Sequence, residues 1–227
     1  MADDAKRSNT YQELASRAAI LLALVLGLVL PMWRWAWFCD LALWFGISSG
    51  VAEWWIAAWS KLGAKAFKTV WLWLSLVAWL LPTTIMVTMY RATIGNTMLV
   101  ELIFIQLVVG DTAQMLCGRS MGSVFLFPRI SPRKSLEGYV GGLIVTVICG
   151  VFWQKWAAYQ VILVYVAGCA GDLYFSAVKR KLGLKDFSRL LSAHGGILDR
   201  IDSLVFAADA LVFATAAMGL TLGTNAD

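Results

Sequence analysis

The chain has 227 residues, 60% of them hydrophobic and 15% charged, with twelve tryptophans, a formal net charge of +5 and a mean hydropathy of +0.72. Soluble domains are about 45–50% apolar and about 25% charged, so this balance excludes an ordinary soluble fold and points to a polytopic membrane protein. The basic residues are distributed between apolar runs, which argues against a nucleic-acid role and makes them reporters of topology.

Residues 1–17 form a polar tail with Lys6, Arg7 and Arg17. The first apolar run after it is already long enough to span, and no A-x-A cleavage pattern follows, so no cleavable signal peptide is expected. The predicted fold is all-α, with about seven membrane helices near 18–37, 40–59, 69–90, 97–117, 139–154, 156–178 and 202–222. Gly46, Gly50, Pro82, Gly110 and Gly168 interrupt them, as membrane helices tolerate where neighbours satisfy the backbone. Trp33, Trp35, Trp37, Trp54, Trp55, Trp59, Trp153 and Trp156 cluster near predicted ends, the pattern of an aromatic belt. Cys39, Cys117, Cys149 and Cys169 lack metal-ligand spacing and read as buried thiols in the reduced state.

With the N-terminus in the cytoplasm, sixteen of the nineteen Lys and Arg fall on the inner side, leaving Arg34, Arg91 and Lys155 outside. The positive-inside rule therefore predicts a cytoplasmic N-terminus and an outer C-terminus. Two inner loops stand out, 118–138 and 179–201, and the hairpin of spans five and six obliges them to share a face.

The stretch Gly171–Asp202 holds six of the Lys and Arg residues and the one histidine of the chain. Asp172 lies in the apolar context YVAGCAGDLYF, where an ionised carboxylate is costly and marks a functional site by default. Asp172, Ser176 and Lys179 share one helical face; the structural alternative is an ion pair of Asp172 with Lys179 or Arg180. Lys179-Arg180-Lys181 and Lys185-Asp186 follow, a run that would also suit lipid headgroups. In His194-Gly195-Gly196 the glycines allow close backbone approach, and their N–H groups could cradle a phosphate. Asp199-Arg200-Ile201-Asp202 opens the last span, and Asp199, Asp202 and Asp172 could offer oxygen ligands to a hard divalent cation. In the first inner loop Ser131-Pro132 begins a turn, Arg133 and Lys134 are donors suited to phosphate, and Glu137 can orient one of them. Asp111 is a further carboxylate near the inner surface, with helix capping or an interhelical contact as its structural alternative.

These residues resemble a known signature. Ser176-x-Val178-Lys179-Arg180, then Lys185-Asp186-x-Ser188, then His194-Gly195-Gly196-Ile197-x-Asp199-Arg200-Ile201-Asp202 is similar to the phosphatidate cytidylyltransferases, with every spacing kept. Asp111-Thr112, Gly118-Arg119 and Ile130-Ser131-Pro132-Arg133-Lys134-Ser135-x-Glu137-Gly138 resemble the same family, and Glu53-Trp54 does so more weakly. Where the family has Pro-Gly before the His-Gly-Gly, this chain has Ser192-Ala193. The family's Thr-Trp is Ser135-Leu136, and its Asp-Thr-Gly-Ala-Tyr run reads Asp111-Thr112-Ala113-Gln114-Met115.

The resemblance implies a reaction of CTP with phosphatidate to give CDP-diacylglycerol and pyrophosphate, carried by the region 101–227, with 18–100 as N-terminal membrane helices. It implies Mg²⁺ on Asp172 and Asp199, with room for a second monovalent or divalent cation. Lys179, Arg180, Lys185, Asp186, His194, Arg200 and Asp202 are then the expected catalytic set. Asp111, Ser131, Arg133, Lys134, Glu137, Ser176, Gly195 and Gly196 are expected to bind substrate. A bacterial inner membrane, an active site facing the cytoplasm and a homodimer complete the expectation. The competing readings are a CTP-dependent kinase, a cytidylyltransferase for another lipid phosphate, and an inactive membrane scaffold.

Overall fold

The computed structural model describes residues 36–77, 80, 81, 84, 109–153, 157–188, 190 and 195–217. The chain divides into two units, Met1–Leu43 and Trp44–Asp227, and every contact considered below lies within the second. Among the described residues the regular structure is helical, with one isolated bridge between Phe125 and Ser135.

Helix α1 runs from Ala36 to Leu62 and passes through a 3₁₀ segment, Gly63–Lys68, into a helical stretch at 70–77. Helix α2 is Asp111–Met121, and α3 is Leu136–Ile148, continued by a π-helical turn at Cys149–Trp153. Helix α4 spans Ala158–Lys181 and α5 spans Leu198–Ala217. Among the described residues α4 is the one helix long and apolar enough to cross a membrane; α3 with its π-turn is apolar but shorter. The span predicted at 18–37 lies outside the described residues except for its last two positions, as does the first half of that at 97–117. The connections are shorter than the predicted loops: α4 carries Lys179, Arg180 and Lys181 in its last turn, and α5 takes in Asp199–Asp202.

The helix ends follow from local chemistry. Ser135 caps α3, its hydroxyl accepting from the Gly138 N–H at 3.2 Å. Helix α4 ends in a Schellman turn: Leu184 N–H bonds Lys179 O at 2.8 Å, Gly183 N–H bonds Arg180 O at 3.0 Å, and Gly183 adopts φ +68°. Small residues set the helix pairs close. A Cβ on Gly138 would stand 2.8 Å from the Gln114 carbonyl oxygen of α2, and one on Gly171 would stand 2.7 Å from the Asp202 carbonyl oxygen of α5. The core cluster joins Trp54, Ala57 and Ala58 of α1 with Leu72 of the 70–77 stretch, Phe175 and Val178 of α4, and Leu198 and Val205 of α5. Trp54 is fully buried and donates its indole N–H to Ser75 Oγ at 3.1 Å. A core that brings α1, the end of α4 and the start of α5 together is what positions the charged residues.

Candidate functional site

Two buried or half-buried ion pairs join three segments distant in sequence. Lys134 reaches from the 122–135 connection to Asp172 Oδ2 on α4. Lys179, two turns further along α4, bonds Asp199 Oδ1 on α5 at 2.7 Å, with side chains only 9% and 5% exposed. Asp172 also accepts a long bond from Ser176 Oγ at 3.4 Å, as the shared helical face predicts. The alternative pairing of Asp172 with Lys179 or Arg180 is not the one formed, because Lys179 turns toward the start of α5 and Arg180 toward backbone.

The field at Lys134 comes from more than its partner. Burial holds its ammonium below the usual lysine pKa, against the opposing charges of Asp111 and Asp202. Asp111 in turn lies within electrostatic reach of Lys134, Asp202 and Arg200, and Asp202 within that of Lys179, Lys134 and Asp199. Asp111, Lys134, Asp172, Lys179, Asp199, Arg200 and Asp202 thus form one electrostatic cluster drawn from α2, the 122–135 connection, α4 and α5.

The turn before α5 is held by carboxylates. Gly195 has φ +78°, a left-handed conformation that glycine adopts without strain. Asp199 Oδ2 accepts from Gly196 N–H at 2.9 Å and from Phe187 N–H at 3.0 Å. Glu53, from the apolar heart of α1, accepts at Oε1 from Ile197 N–H (3.0 Å) and Ser188 Oγ (2.8 Å), and at Oε2 from Leu198 N–H (2.9 Å). Its carboxylate sits where the free N–H groups of a helix start attract an anion. A Cβ on Gly196 would lie 2.9 Å from Glu53 Cδ and 2.8 Å from Ser188 Oγ, so glycine is required for that approach. Of the two N–H groups expected to cradle a phosphate, those of Gly195 and Gly196, the second is bonded to Asp199, and the next two in the chain, Ile197 and Leu198, are bonded to Glu53. Asp186 lies beside Gly195, its Oδ1 3.5 Å from where a Cβ would be.

The first loop is folded by its own turn chemistry. Lys134 N–H closes the Ser131–Lys134 turn on Ser131 O at 3.3 Å, with Pro132 at the position that favours it. Glu137 does not orient Arg133 or Lys134. It accepts instead from the Ser123 hydroxyl and from Val124 N–H (3.1 and 3.3 Å), which holds its carboxyl down at about 2. Arg180 stitches the two loops, donating from Nε to Ile130 O at 3.1 Å and from Nη1 to Leu184 O at 2.8 Å. Arg133 and Lys185 are exposed, and His194 lies outside the described residues.

Glu53 has no place in the expected site, although the rule that singles out Asp172 applies to it equally: it is a carboxylate in the apolar run VAEWWIAAW. Its partners are more than a hundred residues away, and no spacing rule reaches them.

A profile of the cytidylyltransferase family matches residues 5–218. The chain belongs to that family. It is 39% identical over 145 residues to the uncharacterized protein YnbB of Escherichia coli, covering 60% of this chain and 46% of that protein. It is 39% identical over 112 residues to the phosphatidate cytidylyltransferase of Staphylococcus saprophyticus, covering 45% and 43%. With the phosphatidate cytidylyltransferase of Bacillus subtilis it shares 37% over 112 residues, covering 45% and 42%. The chain therefore spans less than half the length of these relatives. In this member of the cytidylyltransferase family, the signature residues are held by two ion pairs and by a buried glutamate on α1.

Proposed function

We propose that this chain transfers CMP from CTP to phosphatidate, giving CDP-diacylglycerol and pyrophosphate. The observation that carries the reading is the convergence of Lys134–Asp172 and Lys179–Asp199, with Asp111 and Asp202 in their field, in a member of the cytidylyltransferase family. Two polyanions must meet in line, so the reaction needs fixed positive charge and positioning more than a strong base. An oxygen of the lipid phosphate attacks the α-phosphorus of CTP, the bond between that phosphorus and the α–β bridging oxygen breaks, and pyrophosphate leaves with the electron pair. A phosphate monoester is ionised near pH 7, so no proton need be removed first. Lys179 and Lys134 place two ammonium groups where charge gathers in this transfer. Arg180, Lys185 and Arg200 are assigned to the triphosphate, with Arg133 for the lipid phosphate. Asp186, His194, Gly195 and Gly196 shape the nucleotide side, and Ser131, Glu137 and Ser176 hold the lipid-side loop and the Asp172 face.

The donor set fits Mg²⁺. No group of three or more His, Cys, Asp or Glu that could hold a metal occurs among the described residues, but Mg²⁺ is ordinarily held by one or two carboxylates together with substrate phosphates. Asp172, whose side chain is 20% exposed and whose partner is an ammonium, meets that description. Asp199 has both oxygens engaged and would serve as a ligand only by releasing Lys179 or the turn. When bound, the ion would neutralise triphosphate charge and orient attack.

The site belongs at a membrane surface, since the acyl chains remain in the bilayer and CTP is soluble. Helix α4 is long enough to span, and Val140, Ile144 and Ile148 of α3 with Ile162 and Val166 of α4 present exposed apolar surface fit for lipid. Seven spans with the N-terminus and both loops in the cytoplasm, in a bacterial inner membrane, complete the proposal. Purified protein given CTP, phosphatidate and Mg²⁺ is expected to form CDP-diacylglycerol and pyrophosphate in equal amounts. CDP with a further phosphorylated lipid would identify a kinase instead, and no turnover of any lipid phosphate would leave a scaffold.

A further inference from the structure

Glu53 satisfies the start of α5, but its placement does more than a helix cap needs. Helix starts are ordinarily capped by a side chain two or three residues before the N–H groups it serves. Here the Ile197 and Leu198 N–H groups are served from 144 and 145 residues away, by a buried carboxylate of α1. A carboxylate in such an apolar run is costly, and a Ser or Asp beside the turn would satisfy the same donors locally. What the distant residue adds is a second attachment. Glu53 Oε1 accepts from Ile197 N–H at 3.0 Å and also from the Ser188 hydroxyl at 2.8 Å, so one oxygen joins both ends of the 188–197 connection.

Asp199 makes a parallel link, its Oδ2 joining Phe187 N–H to Gly196 N–H at 3.0 and 2.9 Å. Among the described residues no backbone–backbone bond links 186–188 to 195–198, so the two carboxylates are the polar contacts that set their spacing. The other oxygen of Asp199 holds Lys179 Nζ at 2.7 Å. A shift of Ser188 or of the start of α5 would therefore move the group that holds this ammonium. Lys185 and Asp186 immediately precede the clamped Phe187 and Ser188. Glu53 makes all three of its bonds on this side, to Ser188, Ile197 and Leu198, and none to the 122–135 connection. We infer that Glu53 is a positioning residue for the nucleotide side of the site. It fixes the Lys185–Ser188 segment against the start of α5, and through them the Lys179–Asp199 pair, without touching substrate itself. The inference rests on the reading of the chain as a CTP-using transferase.

The test separates positioning from plain stability. Purified wild type, Glu53→Gln, Ser188→Ala and Trp54→Phe are compared in detergent, well below the lowest melting temperature of the set. Glu53→Gln turns one of the two accepting oxygens into an amide N–H₂ that cannot accept, and Ser188→Ala removes one bond without altering the helix start. Trp54→Phe is the control, since it loses the indole bond to Ser75 and weakens the core next to Glu53. Equilibrium binding of CTP with Mg²⁺ is expected to weaken about three- to tenfold in Glu53→Gln, the scale of one hydrogen bond. Ser188→Ala should move in the same direction, and Trp54→Phe should lower the melting temperature with CTP affinity unchanged. In turnover, Glu53→Gln should raise the KM for CTP and leave the KM for phosphatidate at the wild-type value, whereas a merely structural role would lower the active fraction and move neither KM. Wild-type CTP affinity in folded Glu53→Gln and Ser188→Ala overturns the inference, as does an equal loss of affinity in Trp54→Phe. A protein whose CTP affinity depends on Glu53 but which forms no CDP-lipid supports the positioning role and sinks the transferase reading. Formation of CDP-diacylglycerol with CTP affinity indifferent to Glu53 does the reverse.

Discussion

Glu53 gives both carboxylate oxygens to the start of α5 and is 6% exposed, so its removal leaves Ile197 N–H, Leu198 N–H and the Ser188 hydroxyl unsatisfied together. Glu53→Ala is expected to lose about 2–5 kcal/mol of stability, read as a lowered melting temperature in detergent, with Glu53→Gln intermediate because it keeps one acceptor. The two signature aspartates should part company under the same treatment. Asp172 is paired but partly open, and its loss leaves Lys134 in the field of Asp111 and Asp202. Asp172→Asn should therefore keep the wild-type melt while turnover falls by about a hundredfold or more. Asp199→Asn strands the Lys179 ammonium in a buried setting and should cost about 3–5 kcal/mol. Adding Lys179→Met to Asp199→Asn should recover part of the melting temperature without restoring turnover. A normal melt in Asp199→Asn, or a normal rate in Asp172→Asn, would contradict this division of labour.

At the scale of the element, α3 owes its entry to Ser135 and Glu137, the first capping its own helix and the second fastening Ser123 and Val124. Glu137 titrates near 2, well below the 4.5 usual for glutamate, chiefly through the Ser123 hydroxyl bond. Because the folded value is the lower one, the clasp contributes stability fully above about pH 4.5 and loses it as pH falls toward 2. Limited proteolysis of the 122–135 connection should be constant from pH 8 to 5 and rise below about 4. Glu137→Gln should raise cleavage at neutral pH and flatten that acid limb; an unchanged limb would mean another group controls the loop. The elements were largely legible in sequence, since apolar runs and glycine punctuation locate α1, α3, α4 and α5. Helix ends were less so, because Lys179–Lys181 and Asp199–Asp202 read as loop by charge yet extend α4 and α5, where the Schellman turn and the carboxylate caps accommodate them. The site was legible as a set of residue types. Its pairings were not: Lys134–Asp172, Lys179–Asp199 and the Glu53 clamp all depend on which helices lie side by side.

For the molecule as a whole, Arg180 of α4 bonds both connections, through Ile130 O and Leu184 O, and Lys134 ties the first of them to Asp172 within α4. Contacts at hydrogen-bond distance cannot cross a hydrocarbon core of about 30 Å, so the proposed membrane architecture predicts that Ile130, Lys134, Arg180 and Leu184 lie on one side whichever way the chain is inserted. On the proposed topology the excess of Lys and Arg predicts the cytoplasm as that side. Leu126 and Leu190 are exposed, one in each connection. With Cys39, Cys117, Cys149 and Cys169 replaced, Leu126→Cys and Leu190→Cys should both react with a membrane-impermeant maleimide in inverted vesicles and neither in intact cells. Reaction from opposite sides would break the site, whereas reaction of both from outside would keep the site and reverse the chain. The second outcome would also place the cluster away from cytoplasmic CTP, so one labelling experiment constrains architecture and proposed chemistry together.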